Sequence, residues 1–239
     1  MKRLAFFAVL MISGCSALQY DSWAWLDDPT RQQWRTSFID LGERKVSFSV
    51  PDRKNSLGER AKFWPELKEG QKNFAIEIDL DRLGKPYELV GQIRWDEYLG
   101  EGFGEKDSDF QFDIWILKGE RDLRLMDLSI DERIERQVDF YREQYPDPES
   151  PWAKLFFENY WVQGFSNPNG LEIIVENQPQ LAEDQKFFYL PISNSHELRF
   201  TVFVRDKKWG WKEDPAWNKS RWDLVYEIMN TVTITPAKK

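Results

Sequence analysis

Apolar and polar residues alternate along much of the chain. Val46, Phe48 and Val50 are separated by Ser47 and Ser49, and Pro51 ends the run. Phe74, Ile76, Ile78 and Leu80 alternate with Ala75, Glu77 and Asp79. Leu89, Gly91, Ile93 and Trp95 share one face of a further segment. Phe110, Phe112, Ile114 and Ile116 do the same, as do Leu198, Phe200, Val202 and Val204. Successive side chains of a strand point to opposite faces, so a period of two with one polar set predicts half-buried antiparallel strands. Asn169-Gly170 separates the aromatic run at 160–165 from Leu171–Val175. Both turn residues tolerate positive φ, so this stretch predicts a hairpin.

Two segments switch to helical spacing. Ser129 and Glu132 stand three apart, as in a capping box. Ile130, Ile134, Val138 and Tyr141 follow at helical steps, and Pro146 closes the segment. A second helix is expected from about Ser220 to Met229, with Trp222, Val225, Tyr226 and Met229 on one side. A short strand over 231–235 should follow it. The Pro146, Pro148, Pro151 cluster reads as a loop within one domain. The expected class is α+β: an antiparallel sheet with a few helices packed on one face. An early strand ending at Pro51 and a last helix running into a last strand resemble the PsbP-like group in that arrangement.

The chemistry of the N-terminus is more specific. Lys2 and Arg3 precede an unbroken apolar run, Leu4 to Ile12. A helix needs roughly 20 residues to cross a ~30 Å hydrocarbon core, so this run is too short to span; it has the form of an export signal. Ile12-Ser13-Gly14-Cys15 follows. The whole resembles a bacterial lipoprotein precursor, whose lipobox reads Leu, a small residue, Gly or Ala, then Cys; here Ile12 replaces the commoner Leu. The resemblance implies cleavage between Gly14 and Cys15 and attachment of lipid, palmitate among its acyl chains, to the Cys15 thiol. One chain of about 0.8 kcal/mol per buried CH₂ anchors only marginally, and several anchor stably. Ser16 stands where an Asp commonly marks inner-membrane retention in Gram-negative lipoproteins. The expected location is therefore the periplasmic face of the outer membrane. The expected organisation is a signal peptide at 1–14, a lipidated Cys15 with tether at 15–29, and one domain at 30–239.

Charge and rare residues exclude other classes. The chain has 239 residues, 33 Lys+Arg against 41 Asp+Glu, and a net charge of −8. Cleavage would remove Lys2 and Arg3 and no acid, leaving the mature chain at −10. An acidic chain without a basic tract is not built for nucleic acid and is repelled by anionic lipid, so the lipid itself would hold it to the membrane. One Cys and one His exclude an internal disulfide and a Cys/His zinc site. His196 lies in the turn sequence NSHE with no G-x-S-x-G elbow, and reads as a surface turn residue. Asp107, Asp109, Gln111 and Asp113 alternate and resemble the start of a calcium loop, but Phe112 occupies the position that needs Gly. They read as a solvated strand face. No catalytic residue, metal or cofactor is indicated.

Aromatic content is the distinctive feature, with 12 Trp, 8 Tyr and 17 Phe. Trp209, Trp211, Trp217 and Trp222 cluster near the C-terminus and form the candidate binding face, since Trp favours interfaces. The leading expectation is a non-enzymatic, lipid-anchored periplasmic protein that binds another protein, as an immunity-type inhibitor or an accessory subunit of an envelope complex. The alternatives are a glycan- or peptidoglycan-binding lipoprotein using these Trp rings and an envelope hydrolase using paired carboxylates.

Overall fold

The computed structural model describes residues 34–51, 61–69, 71–98, 106–119, 124–178, 185–206 and 215–236. The expected signal peptide, Cys15 and most of the tether fall outside them.

The first strands are β1 (Trp34–Asp40), β2 (Arg44–Pro51), β3 (Lys62–Trp64), β4 (Phe74–Glu77), β5 (Tyr87–Tyr98) and β6 (Lys106–Lys118). Two helices follow, α1 (Ile130–Gln144) and α2 (Pro151–Asn159). Then come β7 (Trp161–Ser166), β8 (Glu172–Asn177), β9 (Gln185–Pro191) and β10 (His196–Asp206), followed by α3 (Pro215–Asn230) and β11 (Thr233–Pro236). They form two sheets. One is four-stranded in the order β11-β2-β1-β4; the other is seven-stranded in the order β3-β5-β6-β10-β9-β8-β7. Every pairing in the large sheet is antiparallel, whereas β1 and β4 run parallel in the small one. The fold is α+β.

The main core lies between the sheets. Val46, Phe48 and Val50 of β2 face Ile93, Phe112, Ile114, Phe200 and Val202 of the large sheet, and Leu224, Val225, Ile228 and Met229 of α3 close the same layer. Burying one such side chain contributes roughly 1.5–3 kcal/mol. Trp95 Nε1 donates to the Pro51 carbonyl at 2.9 Å and ties the layers together. The sheets meet closely at Gly91, where an added Cβ would overlap Ile76 Cδ1. A register shift between Leu89 and Gly91 bulges β5 there. It moves Leu89 off the face shared by Gly91, Ile93 and Trp95, which departs from the simple alternation.

The helices cover both faces of the large sheet. α3 lies on the main-core side, while Ile130 and Ile134 of α1 pack with Ile174, Phe187 and Tyr189 on the opposite side. The α1 capping box is present as expected: Ser129 Oγ accepts from Glu132 N, and the Glu132 carboxylate accepts from Ser129 N at 2.8 Å. Helix α2 starts at Pro151, the last residue of the proline cluster, and continues to Asn159, where sequence spacing predicts no element. The Ser150 side chain accepts from Ala153 N at 3.1 Å, and Pro151 supplies the fixed φ of a first helical residue. The expected strand over 74–80 stops at Glu77, because Asp79 Oδ1 takes the Asp81 N–H and starts a 3-10 turn at Leu80–Arg82.

The β7–β8 hairpin forms around Asn167–Leu171, with Gly170 at φ +76° and no positive φ at Asn169. The Asn167 carboxamide carries the turn. Its Oδ1 accepts from Asn169 N and Leu171 N, and its Nδ2 reaches the carbonyls of Met229 and Val232 at the end of α3.

Candidate functional site

The candidate binding residues are only partly brought into view. Gly14, Cys15, Trp209 and Trp211 lie outside the described residues. Trp217 falls in the first turn of α3. Trp222 is half-buried against the main core, and Lys186 Nζ lies 4.0 Å from its ring centroid. This cation–π contact serves packing, and burial lowers the Lys186 pKa. Trp222 thus stands at the edge of the core with part of its surface open to solvent.

Two polar readings are corrected. His196 is 6% exposed, so it is not a surface residue. Its Nδ1 lies 3.2 Å from Ser193 Oγ and 3.0 Å from Ser195 Oγ, and burial, with Lys118 nearby, lowers its pKa. Both hydroxyls meet the same ring nitrogen at the β9–β10 turn, and the buried Nε2 has no hydrogen-bond partner among the described residues. Asp113 is also buried, and its Oδ1 accepts from Gln92 Nε2 and Gln111 Nε2, each at 2.8 Å. Its carboxylate serves the sheet surface.

The surface feature that sequence reasoning missed is α2. Ala153 and Phe156 pack inward, where Phe156 stacks on Tyr145 at 4.9 Å and Tyr160 at 5.0 Å between ring centroids. The outer side is apolar too: Trp152 is 74% exposed and Leu155 54% exposed. A surface helix normally turns charge to water, so an outward Trp–Leu pair one turn apart is an unpartnered apolar face. Beside it opens a groove of about 750 Å³ lined by Tyr145, Pro146, Pro148 and Phe157. Arg142, Lys154 and Glu158 give its rim charges of both signs. The legible signal was Ser150-Pro151 followed by apolar pairs at both 152/155 and 153/156.

An acidic groove of about 1120 Å³ opens elsewhere, where the ends of β1 and β4 approach the β9–β10 turn. Asp40, Glu43, Glu77, Asp79, Asp81 and Asp127 line it, with Arg44 the one cation among its described lining residues. Such a field favours the approach of a basic molecule.

Beneath α1 lies a closed polar cluster. Glu176 is fully buried; its carboxylate accepts from Gln137 Nε2 at 2.8 Å, from Gln178 Nε2 at 2.9 Å, and from the hydroxyls of Tyr141 and Tyr189. Burial raises its pKa and pushes those of Tyr141, Tyr160 and Tyr189 above the ordinary phenol value. The hydrogen bonds to Glu176 hold α1 to the sheet, while the buried Tyr160 hydroxyl has no partner among the described residues. Among the described residues no group of three or more His, Cys, Asp or Glu side chains is placed to hold a metal ion, and no helix is long and apolar enough to cross a membrane.

Comparison with family models, with curated proteins and with solved structures finds no match, so the lipoprotein signal and the PsbP-like arrangement rest on the residues that carry them.

Proposed function

We propose that this chain is a lipid-anchored protein of the bacterial envelope that acts by binding another protein, without an enzymatic step, through the outer face of α2. The observation that carries the binding part is the exposed Trp152–Leu155 pair beside an apolar groove. Trp in an apolar setting with a polar rim is the usual composition of a protein hot spot. The mixed charges of Arg142, Lys154 and Glu158 suit a protein surface better than an anionic lipid surface. The lipobox supports the anchor: Cys15 would hold the protein at the membrane, with the outer-membrane periplasmic face favoured by Ser16.

The test places a photo-cross-linking residue at 152, at 155 and, as control, at 64. Trp64 is exposed on β3, at the opposite edge of the large sheet from β7. In intact cells, positions 152 and 155 should give one adduct of defined size and position 64 none. Equal labelling at all three, or none from a correctly anchored protein, would remove α2 from the reading. Trp152→Ser should abolish the adduct while shifting stability by no more than about 0.5 kcal/mol, as for other exposed sites. Cys15→Ser should release the protein from the membrane fraction. Self-intoxication on deletion, cured by loss of a neighbouring effector, would mark an immunity-type inhibitor; an envelope defect alone would mark an accessory subunit.

A further inference from the structure

The side of the large sheet covered by α1 is not sealed throughout. α1 packs over β7 and β8, and where it meets β6 and β10 a cavity of about 260 Å³ opens. Leu117, Leu125, Phe140 and Ile174 form its apolar walls. Four charged residues line it: Arg133 and Arg136 from α1, Lys118 at the end of β6, and Glu197 from β10. Arg133 is 5% exposed, an unusual place for a cation, and its Nη1 and Nη2 donate to the carbonyls of Glu172 at 3.1 Å and Tyr189 at 3.3 Å. Its Nε has no acceptor among the described residues. Arg133 Nη2 and Glu197 Oε1 stand 3.6 Å apart, beyond hydrogen-bonding distance.

Attraction offsets the cost of burying a charge only when the geometry is close, so at 3.6 Å the buried Arg133 is incompletely paired by the partly exposed Glu197. Here cation and anion face the same small cavity with bonding capacity left over. A ligand that completes them must bring a carboxylate to the guanidinium side and a cation to Glu197. It must also be small, since the volume is below that of a drug-sized site. We propose that this cavity binds a free α-amino acid with an apolar side chain, its carboxylate held by Arg133 and Arg136, its ammonium by Glu197, and its side chain against Leu117, Phe140 and Ile174. A simple anion would meet Glu197 as a like charge, and an amine would meet Arg133, Arg136 and Lys118. The zwitterion matches both, and charge-assisted hydrogen bonds of this kind are the stronger ones. The inference is independent of the α2 face.

Calorimetric titration of the purified full chain decides it, using four probes: L-leucine, L-phenylalanine, 4-methylpentanoate (leucine without its ammonium) and 3-methylbutylamine (leucine without its carboxylate). At least one amino acid should bind saturably, and the two single-charge analogues should bind leucine's site at least about tenfold more weakly, a difference of about 1.4 kcal/mol. Glu197→Gln, which keeps the side-chain shape, should weaken amino-acid binding about tenfold and leave 4-methylpentanoate unchanged or tighter. Arg136→Ala, at an exposed position, should weaken both. No saturable heat with either amino acid overturns the proposal. So does a carboxylate-only probe that binds as tightly as leucine, or a folded Glu197→Gln protein that binds as the parent does. If Glu197→Gln does not fold, the analogue series and Arg136→Ala still decide.

Discussion

Glu176 is an ionisable side chain with no solvent contact, and it makes stability depend on pH. Burial raises its pKa above the ordinary 4.5. Below that value the carboxyl is protonated in folded and unfolded chains alike. As pH rises the unfolded chain ionises first, so folded stability falls until the buried carboxyl also releases its proton. The tyrosines around it, pushed upward, stay neutral donors throughout this range, and Arg199 is the cation acting on Tyr189. Glu176→Gln should therefore flatten the decline in Tm as pH rises above 4.5, relative to the parent. A parent and variant whose Tm difference stays constant over that range would show that Glu176 ionises as easily inside as outside. None of this was legible in the sequence. Glu176 ends the apolar run of β8, and Gln137 and Tyr141 share a helix face, but only the docking of α1 brings them together.

At the scale of elements, signals were legible where one local motif decided the outcome. Ser129 and Glu132 cap α1 through side chains three residues apart, and that contact needs no tertiary partner. Ser129→Ala should lower stability by about 1 kcal/mol, read as a shifted urea midpoint with an unchanged m value. An unmoved midpoint would mean that packing alone holds the helix start. Strands that bury one face, β2, β6 and β10, showed their alternation plainly. β9 did not, because Phe188 and Leu190 enter the main core while Phe187 and Tyr189 lie under α1. A strand buried on both faces is apolar at every step and loses the period of two. β1 was hidden for the opposite reason: Ser37 is fully buried while the larger Phe38 is half-exposed beneath Lys45 Nζ, 3.5 Å from its ring centroid.

Across the whole molecule, the two sheets and the last helix depend on a few long-range polar ties. Asn167, 5% exposed, joins the β7–β8 turn to the carbonyls of Met229 and Val232, where α3 hands over to β11 of the small sheet. Asn167→Ala would strand buried carbonyls and the amides of Asn169 and Leu171, at a cost of about 1–3 kcal/mol or more. Hydrogen exchange should then quicken in β11 and β2 as well as in the turn. A change confined to residues 167–171 would show that the tie is local. The outward Trp152 and Leu155 belong to this scale too, since their exposure follows from how α2 rests on α1 through Phe156, Tyr141 and Tyr145.

The α+β class, the one-face-buried strands and the α1 cap are written in residues adjacent in sequence or one turn apart, so local chemistry suffices to read them. The second sheet, the covering of both faces of the large sheet, the burial of His196 and Glu176, the outward face of α2 and the Arg133–Glu197 cavity are not. Each depends on separate elements meeting face to face, as Arg133 meets Glu197, Gln137 meets Glu176 and Phe156 meets Tyr141. Periodicity states that a residue has an apolar or polar side. Which neighbour that side meets, and whether water remains between them, is decided only when the layers close.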